Sequence, residues 1–115
     1  MRTFHLRALA AIVAGLGIAS PAAAAGSAEK GKAAFVKNGC WQCHGFEGQG
    51  AVTGAKLAPN PLPLEALSAF VRNTNGNMPP YPKAMLPDAD LADIHAYLQS
   101  IPKAPDAKSI PLLNP

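Results

Sequence analysis

The sequence predicts an all-α domain of three main helices, and three observations lead there. Helical apolar spacing recurs in three separate stretches beyond residue 26, whereas no stretch alternates apolar and polar residues like a half-buried strand. Of the 12 prolines only Pro21 precedes residue 26, a density that suits short helices joined by stiff loops. One Trp and two Tyr are too few for the aromatic-rich strands of a β-sandwich. At 115 residues a single domain is expected, and no internal repeat suggests otherwise.

The chain opens with an expected export signal over residues 1–25. Arg2, His5 and Arg7 give a positive start, Ala8 to Ala19 is an uncharged apolar run, Ser20-Pro21 breaks it, and Ala22 to Ala25 supply small residues for cleavage near Ala24 to Gly26. The run falls short of the about 20 residues that cross a bilayer, which disfavours an uncleaved anchor, and no membrane span is expected in the mature chain. No twin-arginine pair is present, so the chain is expected to cross unfolded and to gain any cofactor outside, in the periplasm. Beyond residue 25 the remaining eight basic residues face seven acidic ones, 8 − 7 = +1, against +3 for the whole chain. No Lys/Arg cluster survives cleavage, which removes nucleic-acid binding from the leading functions. A mature chain of 115 − 25 = 90 residues buries only about 60–65% of its unfolded surface and commonly needs a staple, metal or cofactor.

In chain order, Ser27 is placed to cap a helix over about Ala28 to Asn38, with Gly39 as its stop. Gly31 and Phe35, four apart, share a face of it. Phe46 to Pro63, rich in Gly and Pro and lacking helical period, reads as a loop. Leu64 to Asn73 resumes the period, with Leu64, Leu67 and Val71 in one stripe and Phe70 beside it. Met78-Pro79-Pro80-Tyr81-Pro82 is forced into an extended, stiff path. The last helix is expected from about Asp88 to Ser100, burying Leu91, Ile94, Leu98 and Ile101, with Tyr97 adjoining and Pro102 ending it. A domain over 26–101 and a tail over 102–115 follow.

The chemistry lies in Cys40-Trp41-Gln42-Cys43-His44. A two-residue gap puts both sulfurs on one side of a helical turn, where each S–H can add across one vinyl group of a haem, and His44 then lies under the iron as proximal ligand. Two alternatives stand beside this. A Cys-x-x-Cys disulfide suits an oxidising compartment, although no βαβ setting for a thioredoxin-like pair is visible. Zinc would need four ligands, and only Cys40, Cys43, His44 and the distant His95 offer themselves at irregular spacing.

For a sixth ligand, Met78 is the leading candidate, because the prolines after it fix its backbone and a soft thioether binds well only when pre-positioned. Met85 competes, though such a methionine is commonly core filler, and His95 lies beside the apolar stripe of the last helix. An open site is the remaining possibility. Glu47, Glu65 and the late aspartates read as solvated charges, so no catalytic residue is assigned and an enzyme is not expected.

These residues resemble class I c-type cytochromes over Glu29 to Pro102. The resemblance is carried by Gly31-x-x-x-Phe35, Cys40-Trp41-Gln42-Cys43-His44-Gly45, Gly54-Ala55-Lys56-Leu57, Asn77-Met78-Pro79-Pro80-Tyr81 and Leu91-Ala92-Asp93-Ile94-His95-Ala96-Tyr97-Leu98. It implies three helices and loops wrapped around one covalent haem c, with its first and last helices crossing where Gly31 lets the backbones approach, Tyr97 against Gly31 and Phe35 near Ile94. It also implies the distal position for Met78. Where the family often has proline after the loop glycine, this chain has Ala55, whose carbonyl is still expected to accept the His44 Nδ1 hydrogen. Pro87 stands where a Ser or Thr cap usually opens the last helix, leaving Asp88 or the proline itself to start it. Arg72 is a candidate partner for a haem propionate, an ordinary solvated arginine being the alternative.

The expected function is periplasmic electron transfer by iron cycling between Fe(III) and Fe(II) under His/Met ligation, with redox proteins as donor and acceptor. A haem subunit of a larger dehydrogenase or oxidase complex is the alternative, and a haem-based ligand sensor a third. The tail, with Pro102, Pro105, Pro111 and Pro115, is expected to run extended, either frayed or, through Ile110, Leu112 and Leu113, laid on the domain or on a partner.

Overall fold

The structure is a computed structural model that describes residues 25–114; the expected signal peptide up to Ala24 lies outside the described residues. Four helices follow in order: α1 (Ala28–Lys37), the single turn α2 (Trp41–His44), α3 (Leu64–Arg72) and α4 (Asp88–Ser100). Among the described residues there is no strand, only an isolated bridge between Ala51 and Gly54. The all-α expectation holds, and no described helix is long and apolar enough to cross a membrane.

Ser27 caps α1 as its sequence position predicts: its Oγ accepts the Lys30 N–H at 3.3 Å. Its own N–H donates to Asp93 Oδ1 at 2.6 Å, which fastens the start of the domain to α4. The helix ends at Lys37 and Gly39 stops it as predicted: Gly39 takes a φ of 74°, its N–H donates to the Val36 carbonyl at 3.0 Å and the Cys40 N–H to the Phe35 carbonyl at 3.1 Å, while the Asn38 side-chain amide donates to the Ala34 carbonyl at 2.8 Å. α3 ends one residue early, at Arg72, where the Asn73 amide donates to the Ala69 carbonyl at 2.9 Å. Of its predicted stripe, Leu67 and Val71 are buried while Leu64 stays exposed at the first turn. α4 has the predicted bounds and buries Leu91, Ile94, Tyr97 and Leu98. Pro87 takes the cap position without a side-chain bond; the Asp88 carboxylate turns instead to Lys83 and Arg72.

The core is the packing of α1 on α4. Phe35 and Leu98 are its largest fully buried side chains, each worth about 1.5–3 kcal/mol by burial alone. The rings of Phe35 and Tyr97 meet tilted at 58° with centroids 5.8 Å apart, a favourable edge-on arrangement. Gly31 makes this contact possible: a Cβ there would fall 2.8 Å from Tyr97 Cβ and still closer to the Asp93 carbonyl oxygen, so no larger residue fits without separating the helices.

The tail departs from the predicted extended path. It forms two 3-10 turns, Ala107–Ser109 and Pro111–Leu113. Asp106 caps the first by accepting the Lys108 N–H at 2.9 Å, and Pro111 occupies the opening position of the second, where its missing N–H is not needed. Leu112 and Leu113 remain exposed while Ile110 is partly buried, and the hydrogen bonds that form these turns run among residues 106–114.

Gly31→Val is expected to destabilise the protein by about 1–3 kcal/mol through overpacking at the α1–α4 crossing, read as a lowered midpoint in thermal unfolding.

Candidate cofactor site

α2 carries the motif, and the chain around it is fixed by backbone bonds from three directions. The Cys40 N–H donates to the Phe35 carbonyl at 3.1 Å and the Gly45 N–H to the Trp41 carbonyl at 2.9 Å, which closes the turn at both ends. The Gly50 N–H returns to the His44 carbonyl at 2.8 Å. The loop then folds back beneath the motif, with the Leu57 and Ala58 N–H groups both on the Gly48 carbonyl, at 2.7 and 3.0 Å. This brings the Ala55 carbonyl oxygen to 2.7 Å from His44 Nδ1, so the ring that donates there presents Nε2 on its other side. The close pass depends on Gly54: a Cβ there would lie 3.0 Å from His44 Nδ1 and closer still to the Cys43 carbonyl. The sequence singles out Gly54 only as part of a motif; what it contributes is the absence of a side chain directly under the imidazole.

Cys40, Cys43 and His44 line a cavity of about 860 Å³, within the range of about 300–1,000 Å³ common to cofactor sites. Its wall is mainly apolar, with Phe35, Leu67, Val71, Leu86 and Leu98 from the core elements. Met78 also lines it, whereas Met85 is 61% exposed and His95 places Nε2 3.0 Å from the Leu62 carbonyl, outside the lining. Of the three distal candidates only Met78 therefore shares the cavity with the motif. Cys40 and Cys43 are free thiols, and no group of three or more His, Cys, Asp or Glu side chains gathers as a metal cluster among the described residues. Burial pushes the half-buried Cys40 thiol up to about 11, which keeps it protonated at neutral pH. Burial, and then the neighbouring cysteines, raise the Tyr81 hydroxyl above its ordinary value.

By sequence Arg72 is a candidate partner for a propionate, with an ordinary solvated arginine as the alternative. It lies outside the cavity lining, and its guanidinium is committed elsewhere: Nη1 donates to the Tyr81 carbonyl at 2.6 Å and Nη2 to Asp88 Oδ1 at 2.9 Å. Only 12% of the side chain is exposed, and Nε is buried without a partner, a cost of about 1–3 kcal/mol that the two strong bonds offset. Lys83 joins from the surface at 2.7 Å, and the hydrogen bonds from Lys83 and Arg72 hold the Asp88 carboxyl below the usual range. The lining contains one lysine, Lys56, and no carboxylate. Sequence reasoning passed over Lys56 because one lysine in a loop carries no pattern.

The residues fit a covalently held haem. Two thiols and an imidazole stand on one turn, a thioether shares their cavity, the wall is apolar, and no carboxylate in the lining would repel propionates. Gly54→Ala is expected to push the loop off His44 and lower the fraction of protein that carries haem, read as the ratio of haem absorbance to protein. A normal ratio would show that the loop can yield.

A model of the family described as cytochrome c oxidase, cbb3-type, subunit III matches residues 26–98. Comparison with curated proteins and with solved structures returned no match. The match spans α1, α4 as far as Leu98 and everything between them, including the motif turn, the loop beneath it and Met78. Domains of this kind carry covalently bound haem c and serve haem-based electron transfer. With the helical shell, the cavity and the match in agreement, the chain belongs to this family of c-type cytochrome domains.

Proposed function

We propose that the chain is a periplasmic monohaem electron carrier in which Cys40 and Cys43 hold the haem through thioether bonds and His44 and Met78 ligate its iron. The haem domain is residues 26–101, residues 1–25 being the export signal and 102–115 a tail. One observation carries the proposal: Met78, alone among Met78, Met85 and His95, lines the cavity that Cys40, Cys43 and His44 also line. Bound there, the haem supplies one-electron exchange between Fe(III) and Fe(II), and imidazole with thioether favours a comparatively high potential. The chain's own residues set access and electronics. The Ala55 carbonyl holds the His44 ring in one orientation and raises its basicity. The apolar wall keeps water from the metal. Lys56, as the cation of the lining, offers itself to the propionates in place of Arg72.

A second reading draws on the family match: the printed description names a subunit of an oxidase, which favours a haem subunit that works within a larger complex. Size-exclusion of the native extract separates the two. Co-elution of haem absorbance with a large assembly supports the subunit, and elution at the size of the mature chain supports the carrier.

Met78→Ala is expected to let carbon monoxide bind the reduced protein rapidly where the wild type resists it, and Met78→His to lower the reduction potential while haem is retained. A wild-type potential and wild-type resistance to carbon monoxide in both variants would refute the ligation. Lys56→Gln is expected to lower the potential as well, because a cation beside the site favours the less positive, reduced iron. Lys108→Gln in the tail is the control, and an equal shift there would assign the effect to net charge alone.

A further inference from the structure

We propose that Arg72 is the positioning residue of the distal strap: by gripping the Tyr81 carbonyl with Nη1 while Asp88 grips Nη2, it ties the segment that carries Met78 to the start of α4, and it thereby governs how readily Met78 leaves the iron. The inference rests on Met78 being the distal ligand.

The strap runs from Asn73 to Pro87 between α3 and α4, and few bonds hold it. Near Met78, Thr74 Oγ1 donates to the Met78 carbonyl at 2.7 Å, which fixes the backbone of the proposed ligand itself. Two prolines follow, so this stretch moves as a stiff rod whose far end decides its angle. Tyr81 is that far end, and every bond that anchors it converges there. Its N–H donates to the Val71 carbonyl at 2.8 Å, its hydroxyl to the Asn38 carbonyl at 3.1 Å, and its carbonyl accepts from Arg72 at 2.6 Å. The first two tie Tyr81 to α3 and to the end of α1. Only the third reaches, through Arg72 and Asp88, to α4.

The chemistry of the third bond sets it apart. It is charge-assisted and short, its donor side chain is 12% exposed, and the guanidinium fork lets one planar group serve two elements at once. Lys83 reaches the same Asp88 carboxylate from the exposed side, 71% exposed itself, and so adds little to the hold on Tyr81.

The test uses imidazole as the probe on the ferric haem-loaded protein. At saturating imidazole the observed rate reports how often Met78 releases the iron. Arg72→Gln is expected to raise that limiting rate about tenfold or more, the factor that loss of one charge-assisted hydrogen bond of about 1.4 kcal/mol produces. Haem content and helical circular dichroism should stay as in the wild type, and Lys83→Gln should keep the wild-type rate. Met78→Ala should bind imidazole fast and without saturation. If Met78→Ala behaves as wild type, the ligand assignment fails and the strap proposal with it. If Met78→Ala is fast but Arg72→Gln keeps the wild-type limiting rate, the strap proposal alone is overturned, even if thermal stability falls. Should Arg72→Gln fail to assemble with haem, Asp88→Asn, which leaves the guanidinium in place, is measured in the same way; a faster limiting rate than Lys83→Gln supports the proposal and an equal one overturns it.

Discussion

The shell cannot fill its own centre, and the rest of the molecule follows from that constraint. Among the described residues the largest fully buried side chains are Phe35 of α1 and Leu98 of α4, both in the core cluster where these helices pack. Beside that contact lies a cavity of about 860 Å³ walled mainly by side chains of the same core cluster. An apolar wall of this size facing water would be costly, and a void would forfeit the dispersion contacts of its lining. The haem that the family carries supplies the missing half of the core. Haem then completes the core, and covalent attachment, as the family carries it, makes that completion permanent.

Given that constraint, the motif turn has to sit at one place on the cavity wall, and two tyrosines bracket it. The Tyr81 hydroxyl donates to the Asn38 carbonyl just before the motif, and the Tyr97 hydroxyl to the Phe46 carbonyl just after it, at 3.1 and 2.9 Å. One tyrosine comes from the strap and the other from α4, so the turn that presents Cys40, Cys43 and His44 is held by elements far along the chain. Trp41 adds an apolar hold on the outer side, stacked on Phe46 at 4.4 Å and 13° between planes. Position is thus set by long-range contacts, and local orientation by the Ala55 carbonyl under His44.

These layers differ in how legible they are from sequence. The bounds of α4 could be read because an apolar stripe, a proline at each end and an acidic first turn all agree. The start and stop of α1 could be read in the same way, from Ser27 as its cap and from Gly39, which takes the left-handed conformation that ends the helix. The motif announces its chemistry because its spacing is itself the geometry. Arg72 shows the opposite case: a single arginine near an expected anion invites an ion-pair assignment, while its real partners are a backbone carbonyl nine residues away and a carboxylate at the next helix. Backbone acceptors leave no trace in a sequence, so a residue whose role is to grip one is invisible to pattern. The tail misled in another way, because proline density forbids an α-helix yet allows 3-10 turns that begin on proline.

The two sides of the site are held by different means, and the difference fits the two ligands proposed for them. On the motif side, His44 is fixed by a closed turn, by a carbonyl on its second nitrogen and by a glycine that lets the loop approach, all within a few residues of the ring. An imidazole is a strong ligand, so this rigidity serves orientation and basicity more than retention. On the strap side the Thr74 bond fixes the Met78 carbonyl and Met78 packs against the core, and the further control proposed above acts at Tyr81 from residues of other elements. A thioether is the weaker ligand, and its hold on iron depends on how often the strap presents it. Placing that control in Arg72 and Asp88, outside the cavity, separates it from the groups that line the haem. Strap mobility and the environment of the haem can then change independently, which a ligand held only by cavity-lining contacts would not permit.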